Sequence, residues 1–120
     1  MRPSIDGTAF GRITIAGEVY EHDVVIRLSG DVKKRKKKLS KAQYGTSHTV
    51  SRDEAEHIFE AGATRLILGS GQHGAVELSE DAAAYFRTKG CAVQRLPTPH
   101  AITVWNAATG AVIGMFHVTC

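Results

Sequence analysis

The segment Leu66-Ile67-Leu68-Gly69-Ser70-Gly71-Gln72-His73-Gly74 joins a short apolar strand to a glycine-rich loop. The strand, predicted over 64–68, is of the apolar kind that is buried on both faces of a sheet. A G-x-G-x-x-G loop directly after such a strand can leave backbone N–H groups free for an anion or a cofactor. The segment therefore predicts a buried strand of an α/β sheet and a place where a ligand could bind.

Helix and strand signals alternate on both sides of this segment. Ser51 and Glu54 have the spacing of a capping box and predict a first helix that Gly62 ends. Caps and apolar periodicity predict the remaining elements, which are helices over 79–89 and 98–108 and strands over 91–96 and 112–118. This alternation predicts an α/β fold with helices flanking a central sheet.

The N-terminal third has a different pattern. Alternation of apolar and polar residues predicts an antiparallel β-meander over 10–39, with strands at 10–15, 19–20 and 23–28. Residues 40–50 are predicted as an irregular connector. We expect one domain over 1–120, with the meander at 10–39 and the alternating α/β part at 51–120.

Composition limits the class of protein. The chain has 120 residues, of which 42% are apolar, enough for one self-sufficient core. No apolar run approaches the roughly 20 residues of a membrane span, and the first residues lack the apolar region of a secretion signal. Cys91 and Cys120 form no disulfide pattern. We therefore expect a cytoplasmic protein with reduced thiols and no membrane partner.

Three loops are expected at one edge of the sheet. Each loop lies where a parallel strand ends or a helix begins. They are the connector containing Tyr44-Gly45-Thr46-Ser47-His48, the loop Gly69–Gly74 and the segment Thr98-Pro99-His100. Ligands of open α/β sheets bind at that edge. The candidate ligand-binding residues are Tyr44, Gly45, Thr46, Ser47, His48, Gly69, Ser70, Gly71, His73 and Gly74.

The glycine loop lacks the rest of a dinucleotide-binding signature. Residues 75–78 separate Gly74 from the next helix cap at Ser79, and no Asp or Glu follows Asp81 to hold a ribose. Arg95 could instead meet a 2′-phosphate, which keeps NADP as an alternative. We expect no cofactor, and the loop either holds a small anion or only makes a tight turn.

His48 and His73, with Ser47 and Ser70 nearby, suggest a serine–histidine pair as an alternative. Neither serine lies in a G-x-S-x-G turn, and Glu77 is the only nearby acid. Histidines satisfied by loop backbone are the simpler interpretation. A small-molecule enzyme, either a hydrolase or an NADP-linked reductase, is therefore less favoured than a binding protein.

Two other histidines have simpler interpretations. His117 and Cys120 are three residues apart and would point to opposite faces of a strand, with no second ligand pair, so no metal site is predicted. His57 lies among Glu54, Glu56 and Glu60 on what we expect to be an exposed helix face.

The basic residues are concentrated in one stretch. Seven of the fifteen Lys and Arg residues lie between Lys33 and Lys41, whereas the rest of the chain has eight bases and twelve acids, a net charge of 8 − 12 = −4. The run Lys33-Lys34-Arg35-Lys36-Lys37-Lys38 has bases on both sides of a strand, which indicates an exposed edge strand. Nonspecific nucleic-acid binding through these six residues is the alternative, although no aromatic residue interrupts the run to stack a base.

Four segments together resemble the adipogenesis-associated Mth-domain family. They are Phe10-Gly11, Tyr44-Gly45-Thr46-Ser47-His48, Gly69–Gly74 and His117-Val118-Thr119-Cys120, in this order and spacing. The resemblance implies a three-layer α/β fold with a central mixed sheet and an added β-piece. It also implies one antiparallel strand, for which the final strand is the candidate; His117 and Cys120 would then lie far from the glycine loop.

The resemblance implies no reaction. Animal relatives are linked to adipocyte differentiation, and a mitochondrial relative assists assembly of respiratory complex I. The sequence and the resemblance together favour a binding or assembly-assisting domain, with a small anionic ligand or a protein partner at the glycine-loop edge.

Overall fold

The computed structural model describes residues 2–120, and within them the chain forms ten strands and four helices. The strands are β1 (Ile5–Ala9), β2 (Arg12–Ile15), β3 (Glu18–Tyr20), β4 (Val24–Ile26), β5 (Val32–Lys34), β6 (Thr49–Val50), β7 (Arg65–Gly69), β8 (Glu77–Leu78), β9 (Ala92–Leu96) and β10 (Val112–Phe116). The helices are α1 (Lys38–Tyr44), α2 (Arg52–Ile58), α3 (Glu80–Thr88) and α4 (Thr98–Ala107).

The central sheet is mixed, with strand order β5-β4-β10-β7-β9. β10 is parallel to β7, with Gly114 opposite Ile67, and antiparallel to β4, with Met115 opposite Val25. β4 therefore runs opposite to the other four strands. The assignment of the final strand as the antiparallel one was wrong, and this strand ends at Phe116 rather than at residue 118.

The central sheet is covered on both faces. On one face Ile67 and Phe116 pack with Trp105 of α4 and with isoleucines of the N-terminal sheet. On the other face Leu66, Leu68 and Met115 pack with residues of α2 and α3. Burial of large side chains on both sides of one sheet produces the three-layer α/β architecture, which confirms the predicted fold class.

The predicted meander is divided between two sheets. β1, β2 and β3 form a separate antiparallel sheet, whereas β4 and β5 belong to the central sheet. β1 was not predicted, and Phe10-Gly11 is the turn between β1 and β2 rather than strand. An N-terminal antiparallel meander is confirmed, as the three strands β1, β2 and β3, but its predicted range of 10–39 was wrong. Val24–Ile26 belongs to the central sheet because this strand is buried on both sides.

The connector predicted over 40–50 contains α1 and the short strand β6 instead of irregular structure. α1 has no side-chain N-cap and no acid in its first turn, so the usual start signals are absent. Its buried residue, Ser40, bonds to Glu54 and Ser51 of the next helix. Tertiary contacts therefore stabilise a helix that its sequence does not signal.

Candidate functional site

The carboxyl ends of four strands meet at one edge of the central sheet. β5, β7, β9 and β10 end there, and antiparallel β4 begins there. The residues next to these ends are Arg35, Ser70, Pro97, His117 and Asp23. The topology thus brings an acid, an arginine and a histidine together from distant parts of the chain.

Arg35 is buried and lies between two carboxylates. Its Nε is 2.6 Å from Oε2 of Glu54, and its Nη1 is 2.9 Å from Oδ2 of Asp23. The carbonyl of Ser47 accepts a further bond from Nη2 at 2.7 Å. The Arg35 side chain is 0% exposed. The expectation of a fully exposed basic run was therefore wrong at this position, because two acids neutralise the guanidinium inside the protein.

Glu54 departs from two predictions. Ser51 caps α2 by accepting from the Glu54 amide, but the Glu54 carboxylate binds Arg35 instead of completing a capping box. It is also buried, so only part of the expected acidic face around His57 is exposed. The helix itself ends at Ile58, four residues before Gly62.

His117 and Asp23 form a second buried pair. Asp23 Oδ2 is 2.7 Å from His117 Nδ1, and Oδ1 accepts from the amide of Val118 at 2.9 Å. Burial alone would raise the pKa of Asp23, but the bonds and charge of His117, the Val118 amide and Arg35 outweigh it and lower this pKa to about 2. Asp23 is therefore an ionised acceptor at neutral pH.

The second ring nitrogen of His117 faces a hydroxyl group. Nε2 is 3.0 Å from Oγ1 of Thr119, which is only partly buried. The His48 ring packs edge-on against the His117 ring at a centroid distance of 5.5 Å. The Tyr44–His48 segment thus reaches this edge of the sheet, as expected.

The glycine loop does not keep its amides free. The amides of Gln72 and His73 donate to the carbonyls of Thr119 and Cys120, at 2.7 and 2.8 Å. The Gly71 amide donates to Thr98 Oγ1, and the amides of Ser70, Gly74 and Ala75 also have protein acceptors. The interpretation of this loop as an anion cradle with free amides was therefore wrong, because residues 117–120 occupy the position expected for a ligand.

Gly71 shows why the loop needs glycine. Its φ is +109°, and a Cβ there would lie 2.8 Å from both the carbonyl oxygen of Cys120 and Cδ2 of His117. His117 and Cys120 therefore lie against the glycine loop rather than far from it. The Thr98 side chain, at the start of α4, accepts from the Gly71 amide and donates to the His117 carbonyl at 2.7 Å.

The other predicted site residues lie around this edge without forming a serine–histidine pair. Ser70 Oγ is buried and has no hydrogen-bond partner within residues 2–120. The His73 side chain is exposed, and its amide bonds to Cys120. Arg95, considered for a 2′-phosphate, donates to the carbonyls of Val76 and Gly74 and so supports the loop.

The remaining bases of the run are exposed and surround shallow pockets. We call the side chains of Lys33, Lys34, Lys36, Lys37 and Lys38 the lysine surface. A pocket of about 320 Å³ is lined only by residues 34–38. A second, of about 350 Å³, lies between Lys34, Lys37, Asp23 and Thr119. β5 is an edge strand, as the charge pattern predicted.

Two kinds of feature are absent from residues 2–120. No group of three or more His, Cys, Asp or Glu side chains is arranged to hold a metal ion. No helix in this range is long and apolar enough to cross a membrane.

Sequence reasoning missed Asp23, Glu54 and Thr119 as members of the cluster. Each had been given another role: Asp23 as the start of the predicted strand 23–28, Glu54 as part of a capping box, and Thr119 only as a member of the terminal segment 117–120. The signal that could have identified Asp23 is its position directly before the apolar strand 24–26, where a charged residue needs a partner.

The fold defines a small α/β protein with a mixed central sheet. The buried ion pairs Arg35–Glu54, Arg35–Asp23 and His117–Asp23 lie at the carboxyl edge of this sheet. A family model described as a protein of unknown function (DUF498/DUF598) matches residues 5–116, and the chain belongs to this family. A comparison with curated proteins finds no match.

Solved structures share the architecture. The conserved hypothetical protein PH1505 from Pyrococcus horikoshii OT3 has a TM-score of 0.88 and 28% identity, covering 98% of this chain and 99% of that one. Protein MT938 has a TM-score of 0.80 and 34% identity over the same shares. A protein of Bordetella pertussis, described as a Mth938-like domain, has a TM-score of 0.63 and 15% identity, covering 97% and 85%. The last of these shows similarity of fold alone.

Proposed function

We propose that this protein is a binding domain for a multivalent anionic ligand, which contacts the lysine surface. The observation that carries the proposal is the pocket of about 320 Å³ lined by Lys34, Arg35, Lys36, Lys37 and Lys38 and by no acid. We propose this surface as the ligand site instead of the glycine loop, because the loop amides already donate to protein acceptors.

Buried Arg35 holds the backbone of this surface in place. Its bonds to Asp23, Glu54 and the Ser47 carbonyl anchor the backbone between β5 and α1. The neighbouring lysines consequently project outward. Acids do lie near some of these lysines, since Asp31 and Glu60 share a neighbouring pocket with Lys33 and Lys36. The positive field is therefore strongest at the pocket of residues 34–38, whose lining contains no acid.

A compact anion such as a cluster of phosphate groups fits this pocket better than a nucleic-acid strand. The pocket lining contains no aromatic side chain on which a base could stack. An acidic partner protein would use the same surface, and the assembly-assisting role rests on the family resemblance alone.

The test uses inorganic tripolyphosphate as the probe. We expect it to raise the melting temperature of the full chain, because a ligand at 100 times its Kd stabilises the folded state by about 2.7 kcal/mol. The triple variant K36A/K37A/K38A should lose most of this shift. The matched control R12A/R87A/K89A removes the same charge from exposed positions elsewhere and should keep it.

Three outcomes would overturn the proposal. One is the absence of a shift, and another is an equal loss in both triple variants, which would indicate only a net-charge effect. The third is a single-stranded oligonucleotide that binds much more tightly than tripolyphosphate at equal phosphate concentration, since the ligand class would then be nucleic acid.

A further inference from the structure

We propose that Asp23, His117 and Thr119 form a nucleophile-activating triad that cleaves an ester in the pocket of about 350 Å³. Asp23 Oδ2 lies 2.7 Å from His117 Nδ1, and His117 Nε2 lies 3.0 Å from Thr119 Oγ1. Asp23 and Thr119 both line this pocket. An acid that orients a histidine, which in turn meets a hydroxyl group, is the arrangement that activates a weak nucleophile.

The contacts of Asp23 fix the orientation of the imidazole. The ionised carboxylate accepts from the Val118 amide at 2.9 Å and from Arg35 Nη1 at 2.9 Å, so it cannot rotate freely. Because a carboxylate only accepts, Nδ1 of His117 carries a proton. In the neutral ring Nε2 then presents its lone pair to Thr119, as a general base requires.

The placement of Thr119 is consistent with access to a substrate. The Thr119 side chain lies on the same side of the chain as the His117 ring, since Oγ1 is 3.0 Å from Nε2. His117 itself is 2% exposed, whereas the threonine is partly exposed at the pocket wall. The base is thus shielded from water while the hydroxyl group remains reachable.

The proposed reaction is ester hydrolysis through an acyl-threonine. Thr119 Oγ1 attacks the carbonyl carbon, and its proton passes to His117 Nε2. The C–O bond to the leaving group breaks, and the departing alcohol takes the proton from Nε2. Water then attacks the acyl-threonine with the same base, which releases the carboxylic acid and restores Thr119.

The pocket favours an ester that carries a negative charge. Lys34 and Lys37 line it beside Thr119, where their ammonium groups can bind an anionic substituent and stabilise an oxyanion. Two acids also line this pocket, but Asp23 is paired with Arg35 and His117, so Glu21 is the one exposed carboxylate among them. This substrate preference rests on the proposed anion-binding function. The triad itself does not, because it can be tested with an uncharged reagent.

The experiment treats the full chain with a neutral alkyl fluorophosphonate and locates the adduct by peptide mass spectrometry. The background is C120S, which removes the exposed thiol. We expect one adduct, on Thr119, since attack on phosphorus displaces fluoride and leaves the proton on His117. T119V, which keeps the side-chain shape, should abolish the adduct, and T119S should retain it.

Hydrolysis of p-nitrophenyl acetate gives a second readout. T119V should be about a hundredfold slower, within the range of a lost general-base-assisted nucleophile. T88V, at an exposed threonine in α3, is the matched control and should not change the rate. Absence of an adduct on the folded protein, or an equal adduct in T119V, would overturn the triad.

The two proposals fail separately. If tripolyphosphate still stabilises T119V but no variant is labelled, anion binding stands and the triad is wrong. If the neutral reagent labels Thr119 but K36A/K37A/K38A keeps the full tripolyphosphate shift, the triad stands and the binding proposal is wrong.

Discussion

Arg35 and Glu54 form a two-point ion pair in the protein interior, with Nε 2.6 Å from Oε2 and Nη2 3.0 Å from Oε1. They are 19 residues apart and belong to the end of β5 and the first turn of α2. Both side chains are 0% exposed. The pair therefore joins the central sheet to the helix layer above it.

Loss of Arg35 should destabilise the protein strongly. R35M leaves the carboxylates of Asp23 and Glu54 buried without their cation, and removal of one partner of a buried pair costs about 3–5 kcal/mol. K36M, at the exposed neighbouring position, should change the free energy of unfolding by less than about 0.5 kcal/mol. Urea denaturation measures both. A stability of R35M equal to that of K36M would show that the pair contributes nothing net.

The elements predicted well are those whose signals are local. α3 has a cap and acids in its first turn, and β9 is a short run of largely apolar residues directly after the glycine that ends this helix. The structure has both elements within two residues of the predicted bounds. The burial of Arg35 has no local signal, because its partners are 12 and 19 residues away and the adjacent lysines have the same charge. A charge run indicates exposure on average, and only the topology identifies the member that points inward.

The contacts of the glycine loop likewise could not be predicted from nearby sequence. The sequence correctly placed the loop at the carboxyl edge of the sheet, since that follows from strand direction. It could not show that the loop amides bind residues 119 and 120, because this depends on β10 being parallel to β7. Reversal of that strand would have moved the whole His117–Cys120 segment to the opposite edge.

Asp23 should make the free energy of unfolding depend on pH in the acid range. Its pKa is about 2 in the folded protein and 3.8 when unperturbed, so folding favours the ionised form. The resulting stabilisation, about 2 kcal/mol at 1.36 kcal/mol per pKa unit, is fully present above about pH 4 and is lost as the pH falls toward 2.

D23N provides the comparison for this pH dependence. The stability gap between wild type and D23N should be large at pH 6 and should narrow between pH 4 and pH 2, as measured by urea denaturation at each pH. D31N, at an exposed aspartate, should follow the wild-type curve. A gap that stays constant over this range would mean that Asp23 is not the group that titrates.

The two thiols should differ in reactivity. Cys91 is buried, and burial raises the pKa of its thiol, whereas Cys120 is exposed. With Ellman's reagent we expect one fast thiol in the native protein and two after unfolding. C120S should remove the fast phase and C91S should keep it. Equal native rates for both thiols would contradict the burial of Cys91.

Gly71→Ala should release the segment that covers the glycine loop. A φ of +109° is strained for alanine, and the added Cβ would overlap the Cys120 backbone and the His117 ring. We expect a loss of roughly 2 kcal/mol or more in unfolding free energy.

The amides of Gln72 and His73 in Gly71→Ala should also lose hydrogen-exchange protection, because their acceptors are the carbonyls of Thr119 and Cys120. Gly7→Ala is the matched control, since a Cβ there meets nothing within 4 Å, and it should leave both measurements nearly unchanged. Protection that persists in Gly71→Ala would mean that the loop and the 117–120 segment are not coupled through this contact.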